Sequence, residues 1–545
     1  MIRTQKSRMI IIFLCFITAY LLIAVHLYRL QIYQHIFFNT LAEQQYQGTV
    51  VQHPMRAEIY DRHGQPLALN KDSLAAFLVP NTLTLTDPLK QFLTNHFPHA
   101  LARLAKNKKS NFMYLQRRLP NALVDRITHA HLEPIHLLKE PSRFYPLVCT
   151  GPLIGITDID NHGLFGLELQ YQKQLSGTPS TFFLKKDARS GHFYFKKETK
   201  VQGHEGKPLH LTLDSTLQFL AYEELVETVK KYGSTEGSII VMDPATGDII
   251  AMASYPSFNP YDTQTIDLEK TKNKVITEAY ELGSVMKIFA ALAAFEEKVV
   301  TPDELIDCEN TSNAHINGVR IGTTKPHGVI SFEEVIELSN NIGTAKVALR
   351  LGPKIYDHYK KCGFGKKTGI VFPGEQSGFI NPPKRWTAQS PMSLSFGYEV
   401  SATLLQLACA FCMIANNGVP VQPRLLLTQP IRFLSEKPLY SPETMAIIHS
   451  ILQKTVTQGT AKKAHINGYT VKGKTGTANL LVDGHYAQDH TIFTFSGIIE
   501  KGDYKRVIVT FIKEAAQKHH IYASTVAAPL FEAIAQKLLI HDKIL

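Results

Sequence analysis

Twenty consecutive residues near the start of the chain, "MIIIFLCFITAYLLIAVHLY" from Met9 to Tyr28, contain no Asp, Glu, Lys or Arg. About 20 apolar residues in a helix are enough to cross the hydrocarbon core of a bilayer, so this segment constrains everything that follows it to one side of a membrane. The residues before it, "MIRTQKSR", carry Arg3, Lys6 and Arg8, and a basic flank of this kind stays cytoplasmic. A cleaved signal peptide has a shorter apolar core and small residues at a cut site, whereas this core runs directly into "HLYRLQIYQH". The pattern predicts a cytoplasmic tail over residues 1–8 and an uncleaved single-pass anchor over 9–30, with the chain from about residue 36 onward exported. A buried core helix is the competing reading, and the terminal position and basic flank disfavour it.

The remaining sequence is globular in composition: of 545 residues, 44% are hydrophobic and 19% charged, which suits two to four folded domains. The formal charge of +11 asks for a polyanionic neighbour. Its cations are scattered, and runs such as "KNKKS" (Lys106 to Ser110) read as solvated faces. No zinc-finger spacing or RNA-binding aromatic motif accompanies them, so a nucleic-acid partner is not expected; anionic lipid or cell-wall polymer answers the charge equally well. Six cysteines imply no disulfide framework, because Cys15 lies in the span and an odd number remains outside. Cys409 and Cys412 have redox-motif spacing but sit in "LLQLACAFCMIANNG", where they read as small buried side chains of an apolar helix.

From residue 36 to 207 the sequence is irregular. Asp61 to Gly64 reads as a turn between two short strands, and Gly163 to Ser180 as a helix with glycines at its edges. Neither stretch offers a group suited to chemistry. The texture changes at "LHLTLDSTLQFLAYEELVETVKKY", a strand followed by an amphipathic helix capped by Asp214 or Ser215. Two hairpins follow far apart, "GSIIVMDPATGDIIAMASYP" and "FTFSGIIEKGDYKRVIVTFIKE", the second turning at Gly502-Asp503. Helical patterns fill the space between, and "STVAAPLFEAIAQKLLI" closes the chain, which predicts an antiparallel sheet covered by helices.

Three short motifs carry chemistry. In "ELGSVMKIFAALAAF" a hydroxyl, Ser284, and an ammonium, Lys287, stand one helical turn apart at the head of an apolar run. "ELSNNIGTAKVALRLG" supplies Ser339, Asn340 and Asn341 before a helix, and "YTVKGKTGTANL" supplies Lys474, Thr475, Gly476 and Thr477 on a strand. Serine needs a neighbouring base to attack a carbonyl. Lys287 serves only as a neutral amine, a state favoured by a desolvated pocket and by a second cation, which Lys474 can supply. Ser339 is placed to pass a proton to a leaving amine, and Asn341 to hold a substrate amide. On the Lys-Thr-Gly strand, hydroxyls and an ammonium suit a free carboxylate, and Gly476 admits a close backbone. The backbone N–H groups of Ser284 and Thr477 are the candidates for an oxyanion hole. Singly, these motifs read as a helix-start pair, a helix cap and a turn; their order and context favour the joint reading. A phosphate-binding loop needs a longer glycine-spaced pattern than "GKTGT".

Together they form the Ser-x-x-Lys, Ser-x-Asn, Lys-Thr-Gly signature of penicillin-recognising acyltransferases. The chain resembles a class B penicillin-binding protein over nearly its whole length. "RAEIYDRHGQPLA" and "GLFGLELQYQKQLSG" are similar to motifs of the non-catalytic pedestal, or dimerisation, domain, and "VMDPATGDIIAMASYPSFNP" to the start of the transpeptidase domain. No glycosyltransferase domain precedes the pedestal, as expected for class B. "SNNIGTAKVA" and "SFGYEVSATLLQLACAF" are more similar to septal than to elongation enzymes, whose second motif carries Ser-Cys-Asp. Leu282 stands where the family usually has Pro, and Ala57 where it has Gly.

The resemblance implies an α+β chain: a transmembrane helix, an irregular, mostly β pedestal over 36–207, and a transpeptidase domain over 208–545 whose antiparallel sheet is covered by helices on both faces. It implies attack by Ser284 on the penultimate D-Ala of a D-Ala-D-Ala stem, an acyl-enzyme resolved by an amine, trapping by β-lactams, and no metal or cofactor. Implied partners are peptidoglycan stems, the lipid-linked precursor, a membrane glycosyltransferase and division proteins, at a bacterial inner membrane with the catalytic domain in the periplasm. A carboxypeptidase or β-lactamase-like hydrolase on the same fold, and a catalytically silent division scaffold, are the alternatives.

Overall fold

The computed structural model describes residues 2–186, 193–261, 266–482, 485–514 and 521–544. The chain divides into two compact units, one of Met1–Arg56 with Ser176–Gly206, the other of Ala57–Leu175 with Lys207–Leu545.

In the first unit the apolar segment is one helix, Ile2–Tyr28, continued by a wider turn over Arg29–Tyr33 and a helix over His35–Tyr46. Lys6–Tyr33 is long and apolar enough to cross a membrane, and none of its most apolar stretch is buried by protein, which removes the core-helix alternative. A three-stranded antiparallel sheet of Gln47–Gln52, Ser180–Lys186 and Phe193–Val201 completes this unit.

The second unit begins with a sheet in the order Met113–Gln116, Pro66–Leu78, Ile59–Tyr60, Leu209–His210, with His136–Phe144 also paired to Pro66–Leu78. Amphipathic helices Asp87–His96 and Asn121–Ala130 bury Leu89, Leu93 and Ile127 against it, so the strands of this region are joined by helices. The expected Asp61–Gly64 turn is present. The Asp61 carboxylate accepts the backbone N–H groups of His63 and Gln65, both at 2.8 Å, and Gly64 takes the left-handed φ of +80° that closes the turn. The strand after it is long, at 13 residues. Residues 163–180 do not form one helix. Gly163 pairs with Thr157 as an isolated bridge and Gly166 has a φ of +63°, so helical geometry starts only there and runs as two short pieces, Gly166–Gln170 and Gln172–Ser176.

Asp214 caps the helix Ser215–Tyr232 by accepting from the Leu217 N–H at 3.0 Å. Beside it lies a five-stranded antiparallel sheet in the order Ile249–Tyr255, Glu236–Met242, Tyr504–Lys513, His485–Lys501, Thr470–Val482. Both expected hairpins belong to this sheet, Glu236–Met242 with Ile249–Tyr255 and His485–Lys501 with Tyr504–Lys513. The two-residue period of a strand divides its side chains between two cores. Ile239, Val241, Ile508 and Ile512 meet the helices Ser215–Tyr232 and Ala527–His541. Ile240, Met242, Val507 and Val509 face a helical block in which every residue from Lys287 to Phe295 is buried. Leu404–Ala415, started by a Thr403/Gln406 capping box, packs on that same face; Cys412 is buried there and all six cysteines are free thiols.

Candidate active site

The serine does not sit on the α-helix itself. Gly283–Met286 is a single 3₁₀ turn, and the helix Lys287–Glu296 begins with the lysine. Gly283 has a φ of +62°, and a Cβ placed on it would stand 2.5 Å from the Thr477 carbonyl oxygen. One on Gly476 would stand 2.4 Å from the Leu282 carbonyl oxygen. The serine turn is therefore pressed against the Lys-Thr-Gly strand, backbone to backbone, and only glycine permits that approach. Gly397 braces the turn from another side, with its own Cβ position 2.2 Å from the Gly283 carbonyl oxygen.

Ser284 is half-buried, and the Lys287 Nζ donates to its Oγ at 2.9 Å. The same Nζ donates to the Ser339 carbonyl at 2.7 Å and to the Ser339 Oγ at 3.0 Å. Lys474 reaches that Oγ from the strand at 2.9 Å and its neighbour's carbonyl, that of Thr475, at 3.2 Å. Four of the expected residues thus form one connected chain, Ser284–Lys287–Ser339–Lys474. Ser339 is held there by an unusual backbone, with a φ of +59°, because the next residue opens a helix. The Asn340 side chain caps Asn341–Leu351 by accepting from Gly343 N–H at 2.9 Å.

Both lysines are completely buried, and their described hydrogen bonds run to hydroxyls and carbonyls rather than to carboxylates. Burial, with the Lys474 charge adding to it, pushes Lys287 well below the ordinary lysine range. Burial brings Lys474 down to about 7. A neutral amine beside a hydroxyl is the state in which a lysine accepts that hydroxyl's proton.

Of the remaining expected residues, Thr475, Gly476 and Thr477 lie on the same strand as Lys474, and Asn341 opens the helix after Ser339. Thr475 Oγ1 meets Thr460 Oγ1 at 3.2 Å, and Thr477 Oγ1 accepts from the Ala523 N–H at 3.3 Å. Asn341 is half-buried, and its amide donates to the Gly322 carbonyl at 2.6 Å rather than to the serine–lysine chain. The backbone N–H groups of Ser284 and Thr477 belong to the two segments that Gly283 and Gly476 bring into contact. Sequence reasoning missed Thr494 and Ser496. They stand opposite Gly476 and Lys474 in register, and their hydroxyls are buried without a protein partner among the described residues. Their alternation in "FTFSG" marks one polar face in an apolar strand, but the strand's register with Lys474 could not be read from sequence.

Residues 237–536 match the penicillin binding protein transpeptidase domain, and residues 51–211 match the penicillin-binding protein dimerisation domain. The chain is 30% identical over 540 residues to a Pseudomonas aeruginosa protein named "Probable peptidoglycan D,D-transpeptidase PbpC", covering 97% of this chain and 94% of that one. It is 30% identical to peptidoglycan D,D-transpeptidase FtsI of Escherichia coli, covering 88% of this chain and 82% of that one. Among solved structures, penicillin binding protein 3 from Mycobacterium tuberculosis in complex with aztreonam matches with a TM-score of 0.68 at 25% identity, covering 91% of this chain and 98% of that one. With the two matched domains in this order and the serine, lysines and glycines of its three motifs drawn together, the chain belongs to the class B penicillin-binding proteins.

Proposed function

We propose that the chain is a peptidoglycan D,D-transpeptidase in which Ser284 is the nucleophile and Lys287 its base. The observation that carries this reading is the hydrogen-bonded chain of Ser284, Lys287, Ser339 and Lys474, with both amines buried and lowered in pKa. Lys287 takes the Ser284 proton as Oγ attacks the penultimate D-Ala carbonyl. The backbone N–H groups of Ser284 and Thr477 stabilise the oxyanion, and Ser339 returns the proton to the departing D-Ala amine. Lys474, with Thr475 and Thr477, receives the terminal carboxylate, and Gly476 admits the substrate backbone. The Thr470–Val482 strand lies at the end of its sheet, so an extended stem peptide can add along its open edge. Asn341 holds the stem's amide after exchanging its bond to Gly322. An amine from a second stem then takes the acyl group from Ser284, forming the crosslink.

The similarity to proteins named peptidoglycan D,D-transpeptidase supports amine capture over the hydrolysis of a carboxypeptidase or β-lactamase. The apolar Lys6–Tyr33 helix supports a single-pass anchor, which we assign to the inner membrane, with the pedestal over 36–207 and the transpeptidase domain over 208–545 on the periplasmic side. The similarity to FtsI supports a septal role beside a membrane glycosyltransferase and division proteins. The deciding experiment incubates the full chain, in detergent, with fluorescent penicillin and then with a D-Ala-D-Ala donor and an amine acceptor. Labelling that disappears in Ser284→Ala, with aminolysis exceeding hydrolysis, supports the reading. Labelling that survives Ser284→Ala sinks the nucleophile assignment, and hydrolysis in excess assigns the hydrolase instead.

A further inference from the structure

The Asp61–Gly64 turn, which the sequence offered no chemistry, meets two distant parts of the chain. His63 at its tip places Nε2 3.0 Å from the Asp214 Oδ2, and His541, at the end of the last helix, places its Nε2 2.9 Å from the same oxygen. The three ligand atoms all lie within 4.8 Å of one another. A tetrahedral Zn²⁺ bound at 2.0–2.2 Å needs donor atoms roughly 3.3–3.6 Å apart, so the two spacings to Asp214, now hydrogen-bond lengths, have to open by about half an ångström to admit it. None of these three residues is among the described hydrogen-bond partners of Ser284, Lys287, Ser339 or Lys474, so the cluster is separate from the proposed acylation site.

The backbones that carry these donors are fixed before any ion arrives. The Asp61 Oδ1 holds the His63 N–H, while its Oδ2 accepts from Ser215 N–H at 3.1 Å and Ser215 O–H at 2.6 Å. Arg62 N–H donates to the Leu213 carbonyl at 2.9 Å, on the other side of Asp214. The Asp214 Oδ1 is spent on the helix cap, so Oδ2 alone faces the imidazoles. The side chain of Asp214 is 4% exposed, that of His541 27% and that of His63 61%, giving a carboxylate floor, imidazole walls and a mouth open to water.

We propose that His63, Asp214 and His541 form a binding site for a divalent transition-metal ion, Zn²⁺ fitting best, with water in the open position. Two imidazoles and a carboxylate are a borderline-hard donor set that suits Zn²⁺ and excludes Ca²⁺ and Mg²⁺, which take oxygen ligands. The bound ion clamps the turn at residue 63, the start of the Ser215–Tyr232 helix and the chain's last helix to one point.

The competing account is a hydrogen-bonded clasp, in which each histidine needs only an N–H. Glutamine separates the two, because its side-chain amide still donates to Asp214 but ligates zinc poorly. The full chain in detergent, stripped with chelator, is titrated with Zn²⁺ alongside the double variant His63→Gln/His541→Gln, with fluorescent penicillin confirming that both are folded. The wild type is expected to bind one more equivalent than the double variant, with affinity at that site lowered at least about 100-fold by the substitutions. Zinc is expected to raise the Tm of the wild type alone. Equal stoichiometry and equal thermal shifts in the two proteins overturn the site. If the double variant fails to label, zinc-edge X-ray absorption of the one-equivalent wild-type complex decides: imidazole scattering from two ligands supports the site, and its absence overturns it.

Discussion

Lys287 and Lys474 share one acceptor, the Ser339 Oγ, at 3.0 and 2.9 Å. Two ammonium groups cannot both remain charged at that separation in a dry pocket without a carboxylate to offset them. The arrangement therefore sorts the pair into one neutral amine and one cation. Burial lowers both amines and their repulsion is mutual; Lys287, the one whose Nζ also reaches the Ser284 Oγ, is assigned as the neutral partner.

That assignment separates two lysines that a motif treats alike. Arginine keeps a charge but stays protonated in proteins, so it cannot replace a base. Lys287→Arg is expected to slow acylation of Ser284 by about 10²–10⁴-fold, the usual worth of a positioned general base. Lys474→Arg is expected to retain more acylation than Lys474→Ala, since a carboxylate-facing cation is a task arginine partly performs. Second-order acylation rates with one β-lactam, with circular dichroism confirming the fold, make the comparison. Near-normal acylation by Lys287→Arg removes that residue from the base role.

The same pair sets a pH profile. With Lys287 as the proposed base, acylation is expected to rise with pH as that amine loses its proton, at a pH well below the ordinary lysine range. With Lys474 as the proposed carboxylate-facing cation, the rate is expected to fall again as Lys474 passes about 7 in the free enzyme and loses its charge. The two limbs are macroscopic values of the coupled pair. A bound carboxylate favours the charged form of Lys474, so under saturating substrate the falling limb is expected to move to higher pH. In Lys474→Arg the falling limb should vanish. Its persistence at an unchanged pH in that variant would assign it to another group.

How much of this was legible in the sequence depends on the distance between the groups. Ser284 and Lys287 are three residues apart, so any helical turn brings them together, and the 3₁₀ start of the helix changes only the detail. The stretch "SNN", taken singly, reads as a helix cap, and Asn340 is the residue in it that caps. The convergence of Ser339 and Lys474, 135 residues apart, could be read only because the ordered motifs resemble a family; no local rule supplies it. The pairing of Lys474 with Ser496 depends on a strand register that side-chain alternation cannot fix by itself. His63, Asp214 and His541 lie 151 and 327 residues apart with no shared spacing pattern, and nothing short of the folded backbone joins them.

Asn340 is expected to act on catalysis through Ser339. Its side chain accepts the Gly343 N–H, and its own carbonyl accepts the Thr344 hydroxyl at 2.7 Å, which pins the residue between Ser339 and the helix. Asn340→Ala removes the cap at a cost of about 1–2 kcal/mol and releases Ser339 from its left-handed backbone. Acylation should fall more than that loss of stability explains, while Asn340→Asp, which can still cap, should recover most of both. Thermal unfolding and acylation measured on the same preparations test the link. Equal acylation by wild type and Asn340→Ala would show that Ser339 is positioned without the cap.

Gly476 offers a purely steric test of the contact between the Lys-Thr-Gly strand and the serine turn. Its φ lies outside the left-handed range, so alanine meets no backbone strain there. The added Cβ would instead stand 2.4 Å from the Leu282 carbonyl oxygen and 3.2 Å from the Val285 nitrogen, both backbone atoms of the turn that carries Ser284. Neither can rotate aside, so strand and turn must separate. A displacement on the order of 1 Å is expected to cost about 10²-fold in acylation, and overpacking about 1–3 kcal/mol in stability. Gly328→Ala is the control: its φ also lies outside that range and its Cβ position has nothing within 4 Å, so rate and Tm should stay near wild type. Acylation by Gly476→Ala within about threefold of wild type, a difference of roughly 0.7 kcal/mol, would mean that the close approach of the two segments is not what holds Ser284 in register with Lys474.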